Sequence, residues 1–128
     1  MVSGEIVTRS NRIWLGDDGI VRSVSLPDTD QTLEGARENI AAIVAVSGGV
    51  KRPVLADLAR ARSISREARA YYAGAEATAH YAAVALLVGS PLSWALGRFT
   101  LALSRPARPA QLFTSEEEAL AWLRGFLP

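Results

Sequence analysis

The residues best suited to chemistry crowd into one stretch, VLADLARARSISREARAYYAG. It holds Asp57, Arg60, Arg62, Ser63, Ser65, Arg66 and Arg69, and His80 follows a few residues on. An apolar run ends on the acid, an arginine-rich loop follows, and the serines stand where a helix starts. Two chemistries fit. One serine can cap the helix, its oxygen accepting an N–H of the first turn, with Glu67 favoured nearby by the helix dipole. Alternatively the same end holds an anion, either a phosphate on Ser65 or a bound ligand, because helix N-termini present free N–H groups and guanidinium forks match phosphate and carboxylate. Asp57 has two readings as well. It fixes the turn by accepting loop N–H groups, or it joins Ser63, Ser65, Ser90 and Thr114 at the carboxyl edge of a sheet, where ligands of open α/β folds collect.

Other chemistries are excluded by what the chain lacks. There is no cysteine, so disulfides and thiolate chemistry are absent, and a single histidine rules out a multi-histidine metal site within one chain. His80 is expected to close a helix over residues 66–80, with the serines at its other end. At 1.5 Å per residue that separation is roughly 20 Å, which argues against a Ser–His pair. The reading is non-enzymatic, with no metal and no cofactor. Fourteen basic against thirteen acidic residues leave a net charge of +1, too little to point to nucleic acid. No apolar run approaches the roughly 20 residues of a transmembrane helix. The start, MVSGEIVTRSNR, has no signal-peptide core, so the cytoplasm is the expected compartment.

The elements that must position these residues can be read along the chain. Its 128 residues, 49% hydrophobic, suit one domain. Residues 1–10 are polar and expected to be flexible, and residues 11–128 form the domain. Two short apolar runs flank Gly16, Asp17, Asp18 and Gly19, a strong hairpin signal. Asp30 or Thr32 can cap a helix over residues 33–47, with Ala36, Ile40, Ile43, Val44 and Ser47 on its inner face and Glu34, Arg37, Glu38 and Asn39 largely on the other. Gly48 and Gly49 end it. Residues 53–57 suit a buried parallel strand, and 82–88, the most apolar stretch, a central one. Ser90 and Pro91 open a third helix, residues 110–113 make a last strand, and Ser115 with Glu118 forms a capping box for a final helix. The order ββαβαβαβα implies a mixed, mostly parallel sheet of five strands with four helices, an α/β fold built from right-handed crossovers.

The third helix is apolar on two sides. Leu92, Ala95, Leu96, Phe99 and Leu103 make the face for the sheet. Trp94 and Leu101 make a second stripe, with Arg98 beside it, that a small domain has little room to cover. The stripe predicts contact with a second subunit, giving a homodimer, with a protein partner, or with a lipid chain.

The stretches IWLGDDGIVR, TLEGARENI, RPVLADL, SISREARAYYAG, VALLVGSPLS and LFTSEEEALAWL, nearly the whole chain from Arg12, together resemble the STAS domain shared by sulfate transporters and anti-sigma factor antagonists. The likeness is closest to small bacterial proteins described as antagonist-like or STAS/SEC14-like. It implies a STAS-like fold and a domain that works by binding. In the antagonists a serine at the start of the second helix is phosphorylated, within a pattern close to Asp-Ser-Ser-Gly. Ser65 is the positional match, but the aspartate and glycine are missing and Arg66 follows, which argues against a phospho-switch. The function expected is a regulatory or interaction module that binds a protein partner or an anionic ligand through residues 57–69. The rival is a carrier of an apolar or lipid-like molecule, which asks for a pocket of several hundred Å³ between the third helix and the sheet.

Overall fold

A tight turn at residues 16–19 joins the first long strands because Gly19 can take φ +82°. Gly16 N–H then bonds Ile20 O at 3.0 Å, and Arg22 pairs with Asp18, Nη2 to Oδ2 2.9 Å. The computed structural model describes residues 4–89, 91, 94, 95, 98 and 108–128. Its strands are β1 (Ile6–Val7), β2 (Asn11–Leu15), β3 (Val21–Ser25), β4 (Thr29–Gln31), β5 (Arg52–Asp57), β6 (Ala61–Ile64), β7 (Tyr81–Leu87) and β8 (Ala110–Phe113). Its helices are α1 (Leu33–Ser47), α2 (Arg66–Ala73), α3 (Ala75–Thr78) and α4 (Glu116–Leu123), followed by a 3₁₀ turn, Arg124–Phe126. Pro91, Trp94, Ala95 and Arg98 are helical as well; Ser90, Leu101 and the other positions expected in that third helix lie outside the described residues.

Six strands form one sheet in the order β1-β2-β3-β5-β7-β8. β1, β2 and β3 pair antiparallel; β3, β5, β7 and β8 run parallel. The fold is the expected mixed, mostly parallel α/β sheet, and β1 is an addition at its edge. Where a flexible stretch was expected over residues 1–10, Ile6 and Val7 pair with Ile13 and Arg12. Ser10 is buried, and Arg9 reaches Glu34 and Glu38 of α1.

The parallel steps β3 to β5 and β5 to β7 carry α1 and α2 on one face of the sheet, as right-handed crossovers require. There Ile40 and Ile43 of α1 pack on Ile13, Val21, Val54 and Tyr81. α4 follows β8 and covers the opposite face, setting Ala119 and Leu123 against Ile20, Leu55, Ala83, Ala85 and Phe113. Thr32, not Asp30, caps α1, its Oγ1 accepting Gly35 N–H at 3.1 Å. Asn39, expected on the outer face of α1, is buried. Its amide oxygen accepts from Thr8 Oγ1 at 2.6 Å, and its nitrogen lies 2.9–3.1 Å from Ser10 Oγ, Asn11 Oδ1 and Tyr72 Oη.

The second helix is shorter than its sequence predicts. Instead of running over 66–80 it breaks at Gly74, whose backbone is extended (φ −77°, ψ 168°), and restarts as α3. The glycine pays for an interior helix position in backbone entropy, and Thr78 Oγ1 caps its carbonyl at 2.9 Å. His80 therefore follows α3 rather than ending α2, and it is exposed.

Candidate functional site

β3, β5, β7 and β8 all end at one edge of the sheet, where α1 and α2 begin. Two further segments meet there. Asp28, in the left-handed conformation at φ 56°, turns the chain after β3 into β4, and its N–H bonds Arg60 O at 3.0 Å. β4 then pairs in parallel with β6, a two-stranded ribbon separate from the main sheet. Residues 61–64, expected as loop and helix start, are thus a strand.

The ribbon register jumps from Thr29↔Ala61 to Asp30↔Ser63, so Arg62 is the extra residue of a bulge. In a regular strand consecutive side chains point to opposite faces. The bulge breaks that alternation, and both Arg62 and Ser63 reach Asp30. Arg62 donates from Nε to Oδ1 at 3.0 Å and from Nη2 to Oδ2 at 2.6 Å; Ser63 Oγ donates to Oδ1 at 2.6 Å. Asp30 was read only as a helix cap. Its true role was hidden because its partners lie 32 and 33 residues away.

The other expected site residues separate. Ser65 caps α2, its Oγ accepting Ala68 N–H at 3.0 Å, and its own N–H bonds Gln31 O at 2.9 Å. Arg66 is exposed at the first helical position. Arg69 turns back, Nη1 donating to Ile64 O at 2.9 Å. Asp57 accepts Ala59 N–H at 2.9 Å, so it shapes its own loop. Thr114 is exposed after β8. An open cleft of about 370 Å³ lies beside the ribbon, lined by Pro27, Asp28, Ala59, Arg60, Ala61 and Arg62. Away from this edge, Trp94 is 39% exposed, with the Arg98 guanidinium 6.0 Å from its ring centre; Leu101, its expected companion, lies outside the described residues.

The Arg62 and Ser63 hydrogen bonds hold the Asp30 carboxyl down at about 2, from an ordinary 3.8. A carboxyl whose folded value lies below its unfolded one stabilises the fold above the unfolded value and loses that contribution as pH falls through the folded one. Asp30→Asn is therefore expected to lower the unfolding midpoint slightly at pH 6, with the gap to the parent closing between about pH 4 and 2. A gap that is undiminished at pH 2 would rule out the ion pair as its source.

Among the described residues no cluster of three or more His, Asp or Glu is placed to hold a metal, and no helix is long and apolar enough to cross a membrane. The sequence profile of a domain of unknown function, DUF7793, matches residues 13–127. The chain belongs to the DUF7793 family. Among solved structures, this DUF7793 domain is similar to an uncharacterised protein of the DUF3478 family from Shewanella loihica PV-4, described as having a SpoIIAA-like fold. The identity is 19% and the TM-score 0.59, over 92% of this chain and 98% of that one. It is also similar to the anti-sigma factor antagonist SpoIIAA in its unphosphorylated form, with 18% identity and a TM-score of 0.56 over 91% and 99%. A protein of unknown function from Arthrobacter sp. FB24 is 30% identical over 94% and 98%, with a TM-score of 0.37. No curated protein matches. The DUF7793 chain thus has the STAS-like fold that its sequence resembles.

Proposed function

We propose that this protein is a non-enzymatic regulatory module that binds a protein partner through the surface around residues 57–69. The observation that carries the reading is the bulged β4–β6 ribbon. It stands apart from the sheet and flanks an open cleft with Arg60 and Arg62, and exposed Arg66 starts the next helix. Arginine-rimmed clefts suit a partner that offers carboxylates. A structural neighbour that is an anti-sigma factor antagonist supports a role in regulation by protein contact. The mode proposed is steady docking rather than a phospho-switch. Ser65 Oγ is engaged as a cap, and Arg66 stands where the phosphorylated pattern has glycine.

The rival reading, a carrier of a lipid-like molecule, asks for a pocket between the third helix and the sheet, and most of that helix lies outside the described residues.

A photo-crosslinking residue at position 66, with Lys51 at the opposite edge as control, tests the proposal in cells of the natural host. Position 66 is expected to give one discrete adduct and position 51 none. Arg60→Glu in the same protein is expected to cut the adduct about tenfold or more, the effect of losing a charge-assisted bond worth about 1.5–3 kcal/mol. Equal labelling from both positions, or an adduct indifferent to charge reversal, would remove the proposal.

A further inference from the structure

Between the sheet and the α1–α2 layer lies a cavity of about 100 Å³ that the partner surface does not use. Ile40, Ile43, Val54, Ile64, Val84 and Leu86 give it apolar walls. Asn11, Ser23, Gln31, Tyr72 and Arg69 also line it. Gln31 is 3% exposed and Ser23 6%. Buried polar groups ordinarily find partners, and several here have only part of theirs. Gln31 spends both amide hydrogens on Asn11 Oδ1 and Thr29 Oγ1, while its side-chain oxygen meets no donor among the described residues. Tyr72 Oη accepts from Asn39 and Ser23 Oγ accepts from Asn11, yet neither hydroxyl hydrogen meets an acceptor among them. Burial pushes the Tyr72 phenol up to about 12, so it remains a neutral donor.

We infer that this cavity is a binding site for a small neutral aliphatic alcohol. A hydroxyl both donates and accepts, so one group can give its hydrogen to Gln31 and take one from Tyr72 or Ser23. A ketone answers the hydroxyls and leaves Gln31 unpaired. A carboxylate faces the Gln31 oxygen with like polarity, and the Arg69 guanidinium on the lining is already engaged, by Ile64 O among others. A hydrocarbon answers none of them. The volume sets the size: an apolar cavity of about 150 Å³ takes benzene, so this one takes roughly four heavy atoms. The site does not depend on the partner-binding proposal and stands if that one fails.

Amide NMR titration of the full chain with 2-propanol, acetone, acetate and isobutane, which share one branched shape, tests the site. Saturable shifts are expected in β4, β6 and α2. 2-Propanol should bind about tenfold more tightly than acetone, and isobutane and acetate more weakly still. Gln31→Met should erase the preference for 2-propanol over acetone, and Ala56→Leu should fill the space and abolish binding of all four. If Gln31→Met does not fold, the ranking in the parent and the loss in Ala56→Leu decide. Isobutane binding as tightly as 2-propanol, acetate binding most tightly, or no saturable shift in the folded parent would overturn the assignment.

Discussion

Replacing Asn39 by alanine is expected to lower the unfolding free energy by about 3–4 kcal/mol. Asn39 is 1% exposed and lies where segments distant in sequence converge: Thr8, Ser10 and Asn11 from the N-terminal strands and Tyr72 from α2. Two of these partners have an alternative. Thr8 Oγ1 also lies 3.3 Å from Asn11 O, and Asn11 Oδ1 keeps its bond from Gln31. Ser10 Oγ and Tyr72 Oη lose the Asn39 donor with no replacement among the described residues, and each buried orphan costs about 1–3 kcal/mol. Against a typical stability of about 5–15 kcal/mol, that loss is large enough for urea unfolding to read without ambiguity.

Asn39→Asp separates loss of the donor from loss of volume. The carboxylate keeps an acceptor facing Thr8 but presents no hydrogen to Ser10 or Tyr72, and burial without a cation raises its pKa. An acid whose folded pKa lies above its unfolded value loses stability as pH rises past the unfolded value, about 3.9. The variant should therefore weaken from pH 4 to pH 7, the reverse of the Asp30 effect. A loss below about 1 kcal/mol in Asn39→Ala, with a flat pH profile in Asn39→Asp, would show that the cluster contributes little.

Asn39 also marks where sequence reading stops. Local signals carried far: the turn at 16–19, the caps at Thr32, Ser65 and Ser115, and the apolar strands β5 and β7 each state their conformation within a few residues. What escaped depends on partners distant in the chain. Asn39 neighbours Glu38 and Arg37 in sequence and reads as part of a wet face; only the folded positions of Thr8 to Asn11 and Tyr72 make it a core residue. Asp30 reads as a cap because the strand that claims it is 32 residues away. β4 and β6 are short and polar, with no alternation to announce them, and their pairing is parallel, which no hairpin turn can signal. The helix break at Gly74 had a visible cause, but a lone glycine fits a continuous helix as readily as a broken one. In the candidate site the legible part was the Ser65 cap; the bulge that gathers Arg62, Ser63 and Asp30 was not.

Leu55→Ala is expected to cost about 3–4 kcal/mol, around the middle of the range for buried leucine truncation. Leu55 is 2% exposed in β5, pairing with Arg22 of β3 and Ala85 of β7. It faces α4, among Ile20, Ala83, Ala85, Phe113, Ala119 and Leu123. Three of those neighbours are alanines, already too small to swing into a void, and two lie in strands held by ladder bonds on both sides. The space left by the leucine cannot collapse cheaply, and the cavity term adds to the lost transfer energy. Leu120, only partly buried against the same cluster, should cost about 1 kcal/mol on the same change, because solvent already reaches it. The location makes the variant useful beyond stability. The alcohol cavity lies across the sheet, so Leu55→Ala should bind 2-propanol within about twofold of the parent at a temperature where both are folded, since successive side chains of a strand point to opposite faces. Gln31→Met should do the opposite, losing the alcohol preference with a smaller change in the unfolding midpoint. If Leu55→Ala instead loses binding in step with stability, the two faces of the sheet are coupled through β5, and the cavity cannot be treated as a site separate from the core.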